Sequence, residues 1–423
     1  MATSTGMGKL FIIVARHWFN DAWASQRLPL LSVLKGSMNT YLKQFSTVTA
    51  LLLIVVASLN WATDPFAVWH NRCIEGLNCH KTEAGDKIYL TKAYQWRHVN
   101  PNIVILGNSR PELGLNPSSA LFKEKTVYNL GIRGAGVGTQ TKHLLNLLET
   151  STPERVILSI DFLDFLQRST STVNWPPKPY PSSNMPLTLL QQPNPYYFNN
   201  NIKARLATLY SLDTTLASIK TLARQHQQTN YTTLDGFNQA QGFIPIVNNE
   251  GTQALFDQKR QELLKRLNGK SYSLADKQGQ SSSFNSLKIL VDALKSKGIK
   301  LDIFISPYHH RYLEIVNQTG HFELYLAWKR KLVNQLSILD FFPHGTLLDF
   351  SGFNRYTLEP VPQGRGKFMK WYWEPSHYRE ELGEVIIEHI LSSNTEFKLT
   401  KENIEPRLAK EKSTISSLHA SSE

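Results

Sequence analysis

The stretch Phe45–Ala62, FSTVTALLLIVVASLNWA, is apolar and carries no charged side chain. It is near the lower limit, about 18 residues, for a helix that crosses a bilayer. The pattern therefore predicts one transmembrane helix over 45–62. Lys9, Arg16, Arg27, Lys35 and Lys43 precede it against one acid, Asp21, whereas Asp64, Glu75, Glu83 and Asp86 follow it. An excess of Lys and Arg marks the cytoplasmic side of such a helix. Residues 1–44 are thus expected in the cytoplasm and the main domain outside, with Trp61 and Trp69 at the outer interface. Met38, followed by a short basic segment to Lys43, offers an alternative start. No clear small-x-small cleavage site precedes Asp64, so the run reads as an uncleaved anchor. Residues 10–20 (LFIIVARHWFN) are apolar but carry Arg16 and His17, which suits an interface or, if Met38 is the start, an untranslated segment.

Beyond a linker over 63–100, the pattern changes to short apolar runs separated by helical periodicity. The runs 102–106 (NIVIL), 126–130 (TVYNL), 155–160 (RVILSI), 300–305 (KLDIFI) and 346–350 (TLLDF) read as buried strands. Residues 139–148, 284–297, 322–336 and 378–391 have helical spacing, and Gly298 suits a C-cap. This alternation predicts an α/β fold with a doubly wound, flavodoxin-like parallel sheet of five strands over 101–394. The rhythm breaks over 168–283. Residues 168–200 are rich in Pro, Ser, Asn and Tyr, 201–225 look helical, and 226–283 are polar. That stretch is expected to be an insertion forming a cap over the sheet. The polar, charged tail 395–423 is expected to be disordered.

Composition narrows the picture. With 41% hydrophobic residues in a chain of 423, a sizeable core is available, and disorder is a local question. The net charge of +12 favours anionic partners. It is thinly spread, with neither a block of five consecutive Lys/Arg nor a zinc-finger or RNA-binding signature, so no nucleic-acid partner is expected. Cys73 and Cys79 follow the apolar run, and in an exported domain such a pair is expected to form a disulfide.

Ligands of open parallel sheets bind at the carboxyl ends of the strands. Those ends carry Ser109, Gly131, Asp161, Tyr308 with His309, and Asp349, and the loop before the last helix adds Glu374 and His377. A hydroxyl, imidazoles and carboxylates on one edge are the ingredients of acyl transfer by an activated serine. In Gly107-Asn108-Ser109-Arg110 the glycine allows a tight turn that aims the Ser109 N–H at an oxyanion; the plainer alternative is a helix-capping serine. In Glu374-Pro375-Ser376-His377 a carboxylate three residues before a histidine sets the tautomer of that imidazole. The plainer alternative is a surface turn with Ser376 capping the last helix.

Together the two motifs resemble the SGNH/GDSL hydrolase superfamily. That family carries its nucleophilic serine in a Gly-Asp-Ser-type turn after the first strand. Its general-base histidine lies near the C-terminus, with the acid three residues upstream. Gly107-Asn108-Ser109 stands at the first position and Glu374-x-x-His377 at the second, while Gly131 or Gly134 in NLGIRGAG matches the second oxyanion block. The resemblance covers roughly 100–165 and 284–392 and leaves out the insertion. The chain is similar to the membrane-anchored branch associated with acylation of cell-surface polysaccharides, such as the alginate O-acetylation and D-alanylation proteins. The resemblance implies Ser109, His377 and Glu374 as catalytic residues, and oxyanion donors at Ser109, Gly131 and Gly134. It implies neither cofactor nor metal. The expected activity is that of an extracytoplasmic serine acyltransferase or esterase working on O-acyl groups of cell-envelope or exported polysaccharide. A membrane partner delivering the acyl group and a bacterial inner-membrane location come with it.

Arg110 and His309 are expected to contact substrate, and Trp371 and Trp373, beside Glu374, to form a sugar-stacking platform. Three departures stand out: Asn108 and Glu374 each replace an Asp, and the family's Gly-x-Asn-Asp block is missing, with Ser159-Ile160-Asp161 near its place. The missing block favours a rival, a non-catalytic glycan-binding or assembly protein on a degenerate fold. A further rival is a metal-dependent hydrolase using Asp161, Asp349 and His309.

Overall fold

The computed structural model describes residues 38–69, 71–179, 183–227, 231–392 and 394–420. The basic residues ahead of Met38 and the interfacial reading of 10–20 lie outside the described residues. The chain divides into two compact units, 1–59 and 60–423. One helix, α1 (Met38–Thr63), is long and apolar enough to cross a membrane, and most of it belongs to the first unit. Its apolar side chains, Leu51, Leu52, Ile54 and Val55 among them, are exposed.

The second unit holds the sheet. Its elements begin with α2 (Ile88–Tyr94), β1 (Ile103–Leu106), α3 (Ser109–Gly114), β2 (Val127–Asn129), α4 (Val137–Leu147) and β3 (Arg155–Ile160). The middle segment follows with β4 (Gln167–Arg168), α5 (Tyr197–Tyr210), α6 (Leu212–Ala223), α7 (Phe243–Glu250), α8 (Thr252–Leu267) and β5 (Tyr272–Ser273). Then come α9 (Ser282–Ser296), β6 (Lys300–Ile305), α10 (His310–Gln318), α11 (Phe322–Ile338) and β7 (Gly345–Asp349). The chain closes with β8 (Tyr372–Glu374), β9 (His377–Tyr378), α12 (Glu380–Leu391) and α13 (Ile404–Ala420).

The five apolar runs form one parallel sheet in the order β2-β1-β3-β6-β7. Side chains alternate across it. Ile103, Ile105, Ile157, Phe304 and Leu348 face a core shared with Leu382, Ile386 and Ile387 of α12. Val104, Leu106, Val156, Leu158, Ile303 and Leu347 face the other, shared with Leu144 of α4, Leu290 of α9 and Leu332 of α11. Both faces are covered, which is why the strands are apolar without alternation.

The segment between β3 and α9 leaves and returns at one neck. There β4 and β5 pair antiparallel, with Gln167 opposite Ser273 and Arg168 opposite Tyr272. The linker assigned to 63–100 is folded: it contains α2, and Cys73 and Cys79 form a disulfide.

Two expectations are corrected. The tail is not disordered throughout, because α13 occupies Ile404–Ala420. Ile404, Leu408 and Ile415 of that helix join the core, and Glu411, on the same stripe, reaches the buried Lys329. The stripe was hidden because one of its four positions is charged. The last helix of the sheet domain starts at Glu380 and not at Tyr378, since His377 and Tyr378 pair with Glu374 and Tyr372 in a tight hairpin.

Candidate active site

Ser109 is the first residue of α3, directly after β1. Asn108 caps the helix, its Oδ1 accepting from Arg110 N at 3.1 Å. Gly107 makes the turn possible: a Cβ there would lie 2.6 Å from Pro111 Cγ and 2.9 Å from Ser159 Cβ. A residue at a helix start has no intrahelical acceptor for its N–H, so the Ser109 amide is available to an anion.

The β8–β9 hairpin supplies the partners. Glu374 and His377 are cross-strand neighbours around the two-residue turn Pro375-Ser376. His377 Nε2 lies 2.7 Å from Ser109 Oγ, and its Nδ1 contacts Glu374 Oε1. Ser376 caps no helix. Its hydroxyl donates to Glu374 Oε1 at 2.6 Å, and its amide donates to Oε2 at 3.0 Å. Lys259 Nζ stands 3.9 Å from the same carboxylate. Burial alone raises the pKa of Glu374, but His377, Lys259 and Ser376 outweigh it and lower it to about 2. An ionised Glu374 holds the Nδ1 proton of His377 and leaves Nε2 to face the serine.

This predicts a pH dependence. A carboxyl depressed in the fold stabilises above its ordinary pKa of 4.5, and that stability is lost as pH falls towards about 2. Denaturant midpoints of the wild type and of Glu374→Gln are therefore expected to converge as pH falls through that window. A gap that is unchanged across it would refute the assignment.

The serine and histidine open on a cavity of about 260 Å³. One wall is α8, which contributes Lys259, Glu262, Leu263 and Arg266. Sequence reading missed these residues. The signal was present, since Lys259, Leu263 and Arg266 recur at helical spacing, but the segment's high polarity obscured it. Lys259 is paired with Glu262 at 2.7 Å, and both side chains line the cavity.

The remaining expected site residues are distributed as follows. Gly134 lines the cavity with φ +74°. Gly131 does not: its N–H donates to Asn129 Oδ1 at 2.8 Å, and a Cβ there would lie 2.8 Å from Glu112 N. It is a close-packing glycine under α3. Arg110 reaches the cavity, yet its guanidinium is bound to Asp161 and lies over the Tyr308 ring. Asp161, standing near the missing asparagine block, is fully engaged. It accepts from Arg110, Asn108, the Tyr308 hydroxyl at 2.8 Å and Leu163 N at 3.0 Å. Burial works against its charge, and Arg110, Tyr308 and Asn108 outweigh burial, leaving its pKa lowered. Neighbouring Asp164 goes the other way, raised well above the carboxylate range by burial and by Asp161.

His309 is placed away from the cavity. It is fully buried, with Nε2 donating to Glu359 O at 2.7 Å and Nδ1 accepting from Arg311 N. Its amide donates to Pro375 O, so it supports the hairpin turn from below. Burial pushes its pKa down to about 3, consistent with that neutral tautomer. Of the aromatic platform, Trp373 is buried and Trp371 half-buried. Trp373 stacks on Phe243 of α7 at 5.5 Å with Arg379 over its ring, and Trp371 packs edge-on against Tyr356. The metal rival's residues do not converge: Asp161 binds Arg110, Asp349 binds Lys329, and His309 binds a carbonyl. Among the described residues no group of three potential metal ligands comes together. In comparisons with known proteins, no family model and no curated protein matches the chain.

Proposed function

We propose that this chain is a membrane-anchored serine acyltransferase or esterase of SGNH/GDSL type, acting on O-acyl groups of cell-envelope or exported polysaccharide. The observation that carries the reading is the line Ser109 Oγ–His377 Nε2, 2.7 Å, backed by Glu374 on Nδ1. Its place at the carboxyl ends of the strands supports it, as does the strand order 2-1-3-4-5 within the parallel sheet, the doubly wound, flavodoxin-like order. The disulfide Cys73–Cys79 and the apolar α1 support a single-pass protein with its main domain on the oxidising side of a bacterial inner membrane.

In this reading His377 Nε2 takes the Ser109 proton as Oγ attacks the acyl carbonyl. The oxyanion meets the Ser109 N–H and the loop at Gly134. The tetrahedral adduct collapses, its carbon–oxygen bond to the donor alcohol breaks, and His377 returns the proton to that oxygen. An acceptor, a sugar hydroxyl or water, then loses its proton to His377 and attacks the acyl-Ser109 ester. The Ser109 oxygen leaves and recovers its proton from His377. The insertion acts as the cap, with α8 closing the cavity. A membrane partner supplies the acyl donor. No cofactor or metal takes part in these steps.

A fluorophosphonate probe tests the reading. Wild-type protein is expected to be labelled covalently and Ser109→Ala not. Folded wild type that resists the probe, or labelling that persists in Ser109→Ala, would overturn it.

A further inference from the structure

Helices α5 and α6 are built inside out. The face that α6 turns to the protein is small and mostly polar: Thr214, Ala217, Ser218 and Thr221. The face it turns outward is apolar: Leu212, Leu216 and Ile219 are 73%, 50% and 53% exposed. On α5 the buried position is Thr208, while Phe198, Ile202, Leu206 and Tyr210, each four residues from the last, are exposed. A helix on a water-facing surface has the opposite arrangement. Two consecutive helices presenting apolar stripes outward mark a contact surface and not scattered exposure.

The chain itself says what covers it. Asn60, the first residue of the globular unit, lies at the C-terminal end of the apolar run, and it is hydrogen-bonded to these two helices. Its Nδ2 donates to Leu209 O at 2.8 Å and to Thr215 Oγ1 at 3.1 Å, and its Oδ1 accepts from Ser218 Oγ at 2.8 Å. Thr63 Oγ1 donates to Ser218 Oγ at 2.8 Å, and Trp69 Nε1 donates to Thr208 Oγ1 at 3.1 Å. The polar side of α5–α6 is thus bound to the residues where the chain leaves the membrane-spanning run, and the apolar side is left outward. Exposed Trp61, Tyr196 and Tyr210 suit a headgroup boundary. Lys203, Arg205 and Lys220 outnumber Asp213 on the two helices, which complements anionic lipid.

We infer that α5 and α6 form a second, interfacial membrane contact. Their apolar stripe is embedded in the outer leaflet of the bilayer that α1 spans, so the globular unit rests on the membrane surface. The inference rests on the membrane reading of α1 and not on the serine chemistry. The insertion that walls the cavity through α8 therefore also carries the membrane contact.

Nitroxide labels on the full chain in liposomes containing anionic lipid test this. Single substitutions Ile202→Cys, Leu212→Cys, Leu216→Cys and Ile219→Cys are labelled with the native disulfide left intact. Leu52→Cys in α1 and the exposed Gln258→Cys in α8 serve as references. Expected at the four stripe positions is a ratio of oxygen to nickel-chelate accessibility several-fold above that of position 258, approaching that of position 52. Ratios equal to that of position 258 would overturn the contact while a lipid signal at position 52 leaves the anchor standing. Protection from both quenchers would overturn it in favour of a second copy or another protein. A water signal at position 52 would remove the anchor and the inference together.

Discussion

Ser109→Ala is expected to lower kcat/KM on an activated acyl ester by roughly 10⁴-fold or more if the proposed serine chemistry holds. A serine hydroxyl is a weak nucleophile at neutral pH, and on the proposed chemistry Ser109 gains its reactivity from the imidazole 2.7 Å away. His377→Ala is therefore expected to cost about as much, because each residue is useless without the other. The double variant is expected to fall little below the worse single one, the signature of groups acting as a unit. Glu374→Gln should cost less than either, since Ser376 and the hairpin still hold the ring near its place. Initial rates on a nitrophenyl acetate, with circular dichroism to verify folding, provide the measurement. Either alanine variant at wild-type rate, or strictly additive losses, would refute the unit.

The second large effect concerns stability. Lys329 is completely buried, with Nζ 2.8 Å from Asp349 Oδ2 and 2.6 Å from Glu411 Oε1, over the Tyr325 ring. Burial on its own would lower its pKa, but the two carboxylates and the tyrosine outweigh burial and hold it above the ordinary lysine value. Lys329→Met removes the cation and leaves two carboxylates in an apolar setting. Breaking such a group from one side typically costs about 3–5 kcal/mol. Because Glu411 belongs to α13, the loss should appear first as release of that helix. Limited proteolysis is expected to cut within 404–420 in the variant under conditions that spare the wild type, with a lower thermal midpoint. Glu411→Gln, which keeps the Lys329–Asp349 pair, is expected to be milder. Equal midpoints and equal protease resistance for Lys329→Met would show the cluster to be energetically idle.

The strands and the three residues Ser109, Glu374 and His377 were legible because each rests on local information. A fully buried parallel strand is a short apolar run, and a strand-end turn needs a small residue such as Gly107. What stayed hidden depends on partners far along the chain. His309, expected at the substrate from its place at a strand end, is instead buried and bound to the carbonyls of Glu359 and Pro375. Trp373 looks like an open platform until Phe243, from the insertion, lies on it. Asp161 stands in sequence only as a residue near the missing asparagine block, and its role shows once Arg110, Asn108 and Tyr308 surround it. The α13 stripe was obscured by Glu411, whose partner Lys329 is itself hidden in α11.

The two halves of the candidate site mature at different moments. Glu374 and His377 sit three residues apart on one hairpin and can meet as soon as that turn forms. Ser109 is 268 residues from His377 in sequence and reaches it only when the sheet and the closing hairpin are both in place. A chain still folding would thus carry an ordinary, unreactive serine hydroxyl. On the proposed chemistry, the protein holds no acyl group until it has finished folding, and covalent probe labelling becomes a direct clock of that last assembly step.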